Sequence, residues 1–251
     1  RTTNFGKSWR KIVDDDKVWG YALCMVQDPV EPNLMFLGTE FGLYLSIDGA
    51  KNWTKWTHGY PTVSTIDLKI HPREHDLVIG TFGRAAYVLD DIRPLRALAA
   101  EGTGILNNHL HFFQPPTAVL AIHRQASGTR FNANAMFSGE NRDGGAMISF
   151  IYNPPKDKQG GKPEPSRSEG KGRGKSDGQP KKDKVKVEIL NARNDVIMTL
   201  QVEANSGLNR TIWGLRRNGV RSAGGRGWGG QMRQDQEPPG PPVLPGDYTV
   251  R

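Results

Sequence analysis

The feature that most constrains this chain is an internal repeat. Thr2-Thr3-Asn4-Phe5-Gly6-Lys7-Ser8-Trp9 returns as Ser46-Ile47-Asp48-Gly49-Ala50-Lys51-Asn52-Trp53, so that the two tryptophans lie 44 residues apart. A second pair keeps nearly the same step. Gln27-Asp28-Pro29 followed by Leu37-Gly38-Thr39-Glu40-Phe41-Gly42 returns as Ile70-His71-Pro72 followed by Ile79-Gly80-Thr81-Phe82-Gly83. A period of about 40–45 residues built from short strands is that of one four-stranded propeller blade. Helical repeats of similar period are disfavoured here, because Gly (30) and Pro (17) make up about a fifth of the chain.

The segments between turn residues read as strands: 21–26, 34–38, 42–46 and 53–56, then 66–70, 77–80 and 85–89. Asp28-Pro29, Asp48-Gly49 and His71-Pro72 supply turn chemistry between them. After Asp91 the pattern breaks, and 92–98 reads as an exit segment with one short helical turn. Further strands are expected at 109–113, 118–123 and 146–152. Val185–Leu190 and Val196–Val202 read as an antiparallel pair, and 207–216 as a turn and strand. Pro245-Gly246-Asp247-Tyr248 opens a last strand. Short strands with long turns suggest an immunoglobulin-like sandwich. The expected fold is therefore all-β: terminal blades of a β-propeller over 1–91, a connector over 92–136, and a sandwich over 137–251. Disordered inserts are expected at 154–184 and 217–240, which lack apolar anchors. Two blades cannot close a ring, and the chain both opens and stops inside a motif, so it reads as a piece of a longer protein.

The repeated octapeptide has a physical logic. A carboxylate or carboxamide in it accepts bonds from turn N–H groups, a hydroxyl bonds locally, Gly permits a left-handed backbone, and Trp buries a large apolar surface. On these residues the chain resembles the BNR or Asp-box propellers, the superfamily of sialidases, xyloglucanase-like glycosidases and the sortilin receptor domain. Asn4 stands where that pattern has Asp, and Ala50 and Asn52 where it has Gly and Thr. The stretch His71-Pro72, Gly80-Thr81-Phe82-Gly83-Arg84 and Tyr87–Leu95 resembles the last blade of exported bacterial members. In those proteins an immunoglobulin-like module follows the propeller. The resemblance implies a structural role for Thr2, Asn4, Gly6, Trp9, Ser46, Asp48 and Trp53. It also implies a secreted, periplasmic or cell-surface location.

Two classes of function stay open. One is an exported recognition scaffold binding a protein, peptide or glycan. The other is a glycoside hydrolase with its catalytic carboxylates mainly upstream. Arg84, Asp90, Asp67 and Glu40 are the candidate ligand-binding residues, as polar groups at expected blade turns and ends. Asp28 lies at another such turn, with turn capping the expected role. Two-carboxylate hydrolysis needs acids flanking one bond, which Asp90 and the adjacent Asp91 cannot do from opposite faces of a strand. His109-x-His111 offers two imidazoles with no third ligand, so no metal and no cofactor is expected. The net charge of +8 does not imply nucleic acid, because residues 156–186 hold eleven Lys/Arg against five Asp/Glu and leave the rest near neutral. Cys24, the single cysteine, sits in the apolar run 21–26 and is expected to be a buried structural thiol. No apolar run is long enough to span a membrane.

Overall fold

The computed structural model describes residues 1–120, 142–155, 183–219 and 239–251. The chain divides into two compact units, Arg1–Asn107 and Asn108–Arg251. The segment read as a connector is thus divided, its first part belonging to the first unit and Asn108 onward to the second.

In the first unit the repeat folds as two antiparallel meanders. β1 (Ala22–Gln27), β2 (Met35–Thr39), β3 (Gly42–Ser46) and β4 (Thr54–Trp56) form one sheet in chain order. β5 (Thr65–Ile70), β6 (Leu77–Thr81) and β7 (Ala86–Leu89) form another. The register repeats as well: Gly38 lies opposite Cys24 in one sheet and Gly80 opposite Asp67 in the other, each next to a bulge in the first strand. β2 and β3 carry Met35, Phe36 and Leu37 and Leu43, Tyr44 and Leu45, and are buried nearly throughout. β1 keeps Leu23 and Met25 exposed.

The two octapeptides share their main turn hydrogen bonds. The Gly6 N–H donates to Thr2 Oγ1 at 2.9 Å and the Ala50 N–H to Ser46 Oγ at 2.9 Å. The Ser8 N–H donates to Asn4 Oδ1 at 3.0 Å and the Asn52 N–H to Asp48 Oδ1 at 3.0 Å. A carboxamide therefore serves as well as a carboxylate, which explains how Asn4 stands in for Asp. Ala50 holds the left-handed φ of 68° where the first copy has Gly6 at 84°. The tryptophans differ. Trp53 is buried and its Nε1–H donates to Ile12 O at 2.8 Å, whereas Trp9 is 74% exposed.

The exit segment is longer than one turn. α1 (Arg93–Glu101) starts with Pro94 in its first turn, where proline costs no hydrogen bond, and a 3₁₀ helix (Thr103–Asn107) follows. Among the described residues no helix is long and apolar enough to cross a membrane.

The second unit is built from short antiparallel sheets. β8 (Leu110–Phe112), β9 (Ala146–Tyr152) and β12 (Gly207–Trp213) pair in the order β12-β9-β8. β10 (Asp183–Leu190), β11 (Val196–Ala204) and β15 (Thr249–Val250) pair in the order β11-β10-β15. β13 (Arg216–Asn218) and β14 (Pro239–Pro242) make a two-stranded ribbon. Ile148, Phe150, Val187, Ile189, Ile197 and Trp213 meet in one core drawn from both larger sheets. The described residues are thus mostly β, in open antiparallel sheets.

Several boundaries differ from expectation. Asp183 and Lys184 lie in β10, because Asp183 pairs with Ala204 on the neighbouring strand. Arg217, Asn218, Pro239 and Gly240 likewise lie in β13 and β14 rather than in an irregular insert. Ala118–Leu120 is not a strand, and the rest of that expected element lies outside the described residues, as does most of both inserts.

Candidate functional site

The two meanders of the first unit lie with β1 and β5 side by side. Cys24 Sγ–H donates to Thr65 O at 3.5 Å near the start of both strands. A Cβ on Gly38 would meet Cys24 Sγ at 2.4 Å and Thr65 O at 2.6 Å, so only glycine permits this approach. Cys24 is half-buried rather than buried, and burial pushes its thiol pKa up, so it is not poised as a nucleophile. At the far end Arg96 joins Asp28, just past β1, to His75, in the turn after β5. The two strands therefore run in the same direction, and the unit has two chemically distinct ends.

The end beyond β1 and β5 is a locked polar core. Asp28 Oδ1 accepts the N–H groups of Val30 and Glu31 at 2.8 and 2.7 Å. Arg96 Nε donates to both carboxylate oxygens at 3.0 and 2.9 Å, and Nη2 donates to Oδ2 at 2.8 Å. Arg96 Nη1 lies 2.9 Å from His75 Nδ1. The His75 pKa is depressed, first by burial and then by the Arg96 and Arg93 charges. The Asp91 N–H donates to Asp76 Oδ1, and Asp91 carries an ion pair to Arg93. Asp91 is buried at φ 46°, outside any strand. Every one of these groups is spent on fixing α1 and the turns.

The opposite end is exposed and aromatic. Trp19, Tyr21 and Phe82 are 71%, 78% and 76% exposed, and Phe41 is exposed as well. Trp19 and Phe41 pack at 5.8 Å between centroids, tilted by 50°. Gly20, at φ 82°, lets this happen, since a Cβ there would meet Phe41 Cδ2 at 2.7 Å. The Trp19 N–H donates to Tyr44 Oη at 3.0 Å, and the Tyr21 N–H donates to Glu40 Oε2 at 3.2 Å. Glu40 thus orients Tyr21 while its turn presents Phe41. The equivalent turn of the second meander presents Phe82 and Arg84. Leaving such rings exposed to water is unfavourable, and exposed apolar patches mark interaction sites.

Of the four sequence candidates, Glu40 and Arg84 fall at this aromatic end. Asp90 falls at the α1 end. Asp67 lies on β5, its Oδ1 accepting the Leu68 N–H at 2.9 Å. Glu40 and Asp90 are thus on opposite ends and do not flank a common bond. Sequence reasoning missed Trp19, Tyr21, Phe41 and Phe82. The signal was present: each repeat places an aromatic before glycine at its second turn, Phe41-Gly42 and Phe82-Gly83. His109 Nδ1 is taken by Asn153 O, and His111 packs edge-on against Phe113 at 4.9 Å. No group of three or more metal-ligating side chains forms among the described residues. Asn209, in a glycosylation-type tripeptide, is buried and donates to Asn205 O and Gly207 O.

No family model, curated protein or solved structure matches this chain.

Proposed function

We propose that this chain is the terminal part of an exported β-propeller recognition scaffold. Its two meanders are the last blades, and its second unit is an immunoglobulin-like module. The ligand, a glycan or a peptide of a protein partner, lies across the aromatic end of the first unit. The observation that carries the reading is the exposure of Trp19, Tyr21, Phe41 and Phe82 at the end of both second turns, with Trp19 and Phe41 in ring contact. Ring faces stack on flat apolar surfaces, and Arg84 and Glu40 add one charge of each sign at the margin. The repeat and its two matching turns support the propeller. The secreted, periplasmic or cell-surface location rests on the resemblance alone.

The test is a panel of polysaccharides, sialosides and peptides offered to the intact protein, scored both for saturable binding and for sugar release. Binding without release is expected. Sugar release abolished by replacing Glu40 or Asp67 would overturn the scaffold in favour of a glycoside hydrolase.

A further inference from the structure

The second unit holds a cleft of about 750 Å³, lined by β9, β12 and β15 and by the chain on either side of them. Phe112 of β8 and residues 114–118 border it, as do Tyr248 and both residues of β15. β8 and β15 are outer strands of their sheets, so each has one side not paired within its sheet.

The lining has an unusual charge inventory. The protein carries 34 Lys/Arg and a net charge of +8, yet among the described residues no Lys, Arg or His lines this cleft. Among the same residues Asp247 is its one carboxylate. Phe112 stands partly buried in its wall, and the buried Trp213 packs edge-on with the partly buried Tyr248 at 5.2 Å. The polar tips of the last two are already engaged: Trp213 Nε1–H donates to Arg216 O at 2.8 Å and Tyr248 Oη–H to Leu244 O at 2.6 Å. What remains for a ligand is apolar wall, aromatic face and one anion. An aromatic face and a carboxylate both favour a cation, and neither favours an anion. Leu244 at the rim is 74% exposed, an apolar contact surface with nothing on it.

We propose that this cleft is a binding site for an extended peptide segment that is apolar on one side and carries a Lys or Arg. The volume accommodates a short strand or a ligand of similar size. The flanking sheet edges favour a strand, because an extended peptide adds backbone hydrogen bonds to an edge while alternate side chains enter the pocket. The apolar side chains pack against Ala118 and Leu244, and the cation lies between the Tyr248 ring and Asp247. This site is independent of the aromatic end of the first unit.

The experiment is calorimetric titration of the intact protein with a capped pentapeptide alternating valine and lysine, its valine–glutamate counterpart, and n-butylamine. Saturable binding of the lysine peptide is expected, with the glutamate peptide and the amine each at least about tenfold weaker. Asp247→Lys, at an exposed position, is expected to weaken the lysine peptide at least about fivefold. Ala118→Trp fills the cleft from a segment outside any strand and, in protein shown by its melting curve to be folded, is expected to abolish binding. Equal binding of the two peptides, equal binding of the amine, insensitivity to Ala118→Trp in a folded variant, or no binding of the lysine peptide would each overturn the proposal.

Discussion

Replacing Arg96 with methionine tests how the first unit is held together. The side chain of Asp28 is fully buried and that of Arg96 is 10% exposed, so water does little to screen the pair. Arg96→Met removes the Nε and Nη2 donors from the carboxylate and leaves it only the Val30 and Glu31 N–H groups. It also takes the guanidinium from His75. Breaking a buried pair from one side costs about 3–5 kcal/mol, since the remaining charge is stranded. For a unit of this size each kcal/mol moves the midpoint by about 4 °C, so the first unit should melt about 12–20 °C lower. Differential scanning calorimetry of the intact chain reads this directly. The double variant Asp28→Asn/Arg96→Met removes both charges, keeps an acceptor for the Val30 and Glu31 N–H groups, and should recover most of the loss. An Arg96→Met protein within about 1 kcal/mol of the parent, or a double variant no better than the single one, would refute the stranded-charge argument.

Three further outcomes follow from the geometry. Trp53→Ala empties a buried site and should cost about 3–5 kcal/mol by chemical denaturation, whereas Trp9→Ala, at an exposed tryptophan of the same repeat, should stay within about 0.5 kcal/mol. Gly38→Ala forces a Cβ onto Cys24 Sγ and Thr65 O and should destabilise by about 1–3 kcal/mol, while Gly59→Ala, with open space around it, should show no such clash, only the smaller strain of its φ of 65°. His75 has a folded pKa below its ordinary 6.5, so the stability tied to its neutral ring is whole above that value and is lost as pH falls through the folded value. Thermal melts between pH 6.5 and about pH 5 should therefore fall more steeply for the parent than for His75→Asn, whose carboxamide still accepts from Arg96 and tolerates the φ of 60°.

Much of the strand order was legible because turn chemistry punctuates it. Asp48-Gly49 closes Gly42–Ser46, Gly144-Gly145 and Asn153-Pro154 bracket Ala146–Tyr152, and the ends of both strands match expectation to the residue. β10 begins earlier than composition suggests, since Asp183 and Lys184 are recruited by pairing with Ala204 and Glu203, a tertiary effect. The exit helix was underestimated because Pro94 reads as a breaker when it stands alone, yet it sits harmlessly in a first turn. At the site, Glu40 and Arg84 were legible as residues at equivalent turns. The Asp28–Arg96 pair was not, because the two lie 68 residues apart and only folding shows that they share a buried spot. Trp19 and Tyr21 precede β1, and the period alone assigns them no face. Their exposure became visible only with Gly20 and Glu40 in place.

The most direct test of the recognition reading is the affinity of the intact protein for the ligand selected from the panel, compared with a Trp19→Ala/Phe82→Ala variant. Neither side chain is buried, so the variant should melt with the parent. A loss of about 2 kcal/mol or more, roughly thirtyfold in Kd, is the predicted result, since exposed aromatic anchors carry most of the binding energy in such surfaces. Undiminished affinity in the folded double variant would contradict it and move the ligand away from the aromatic end.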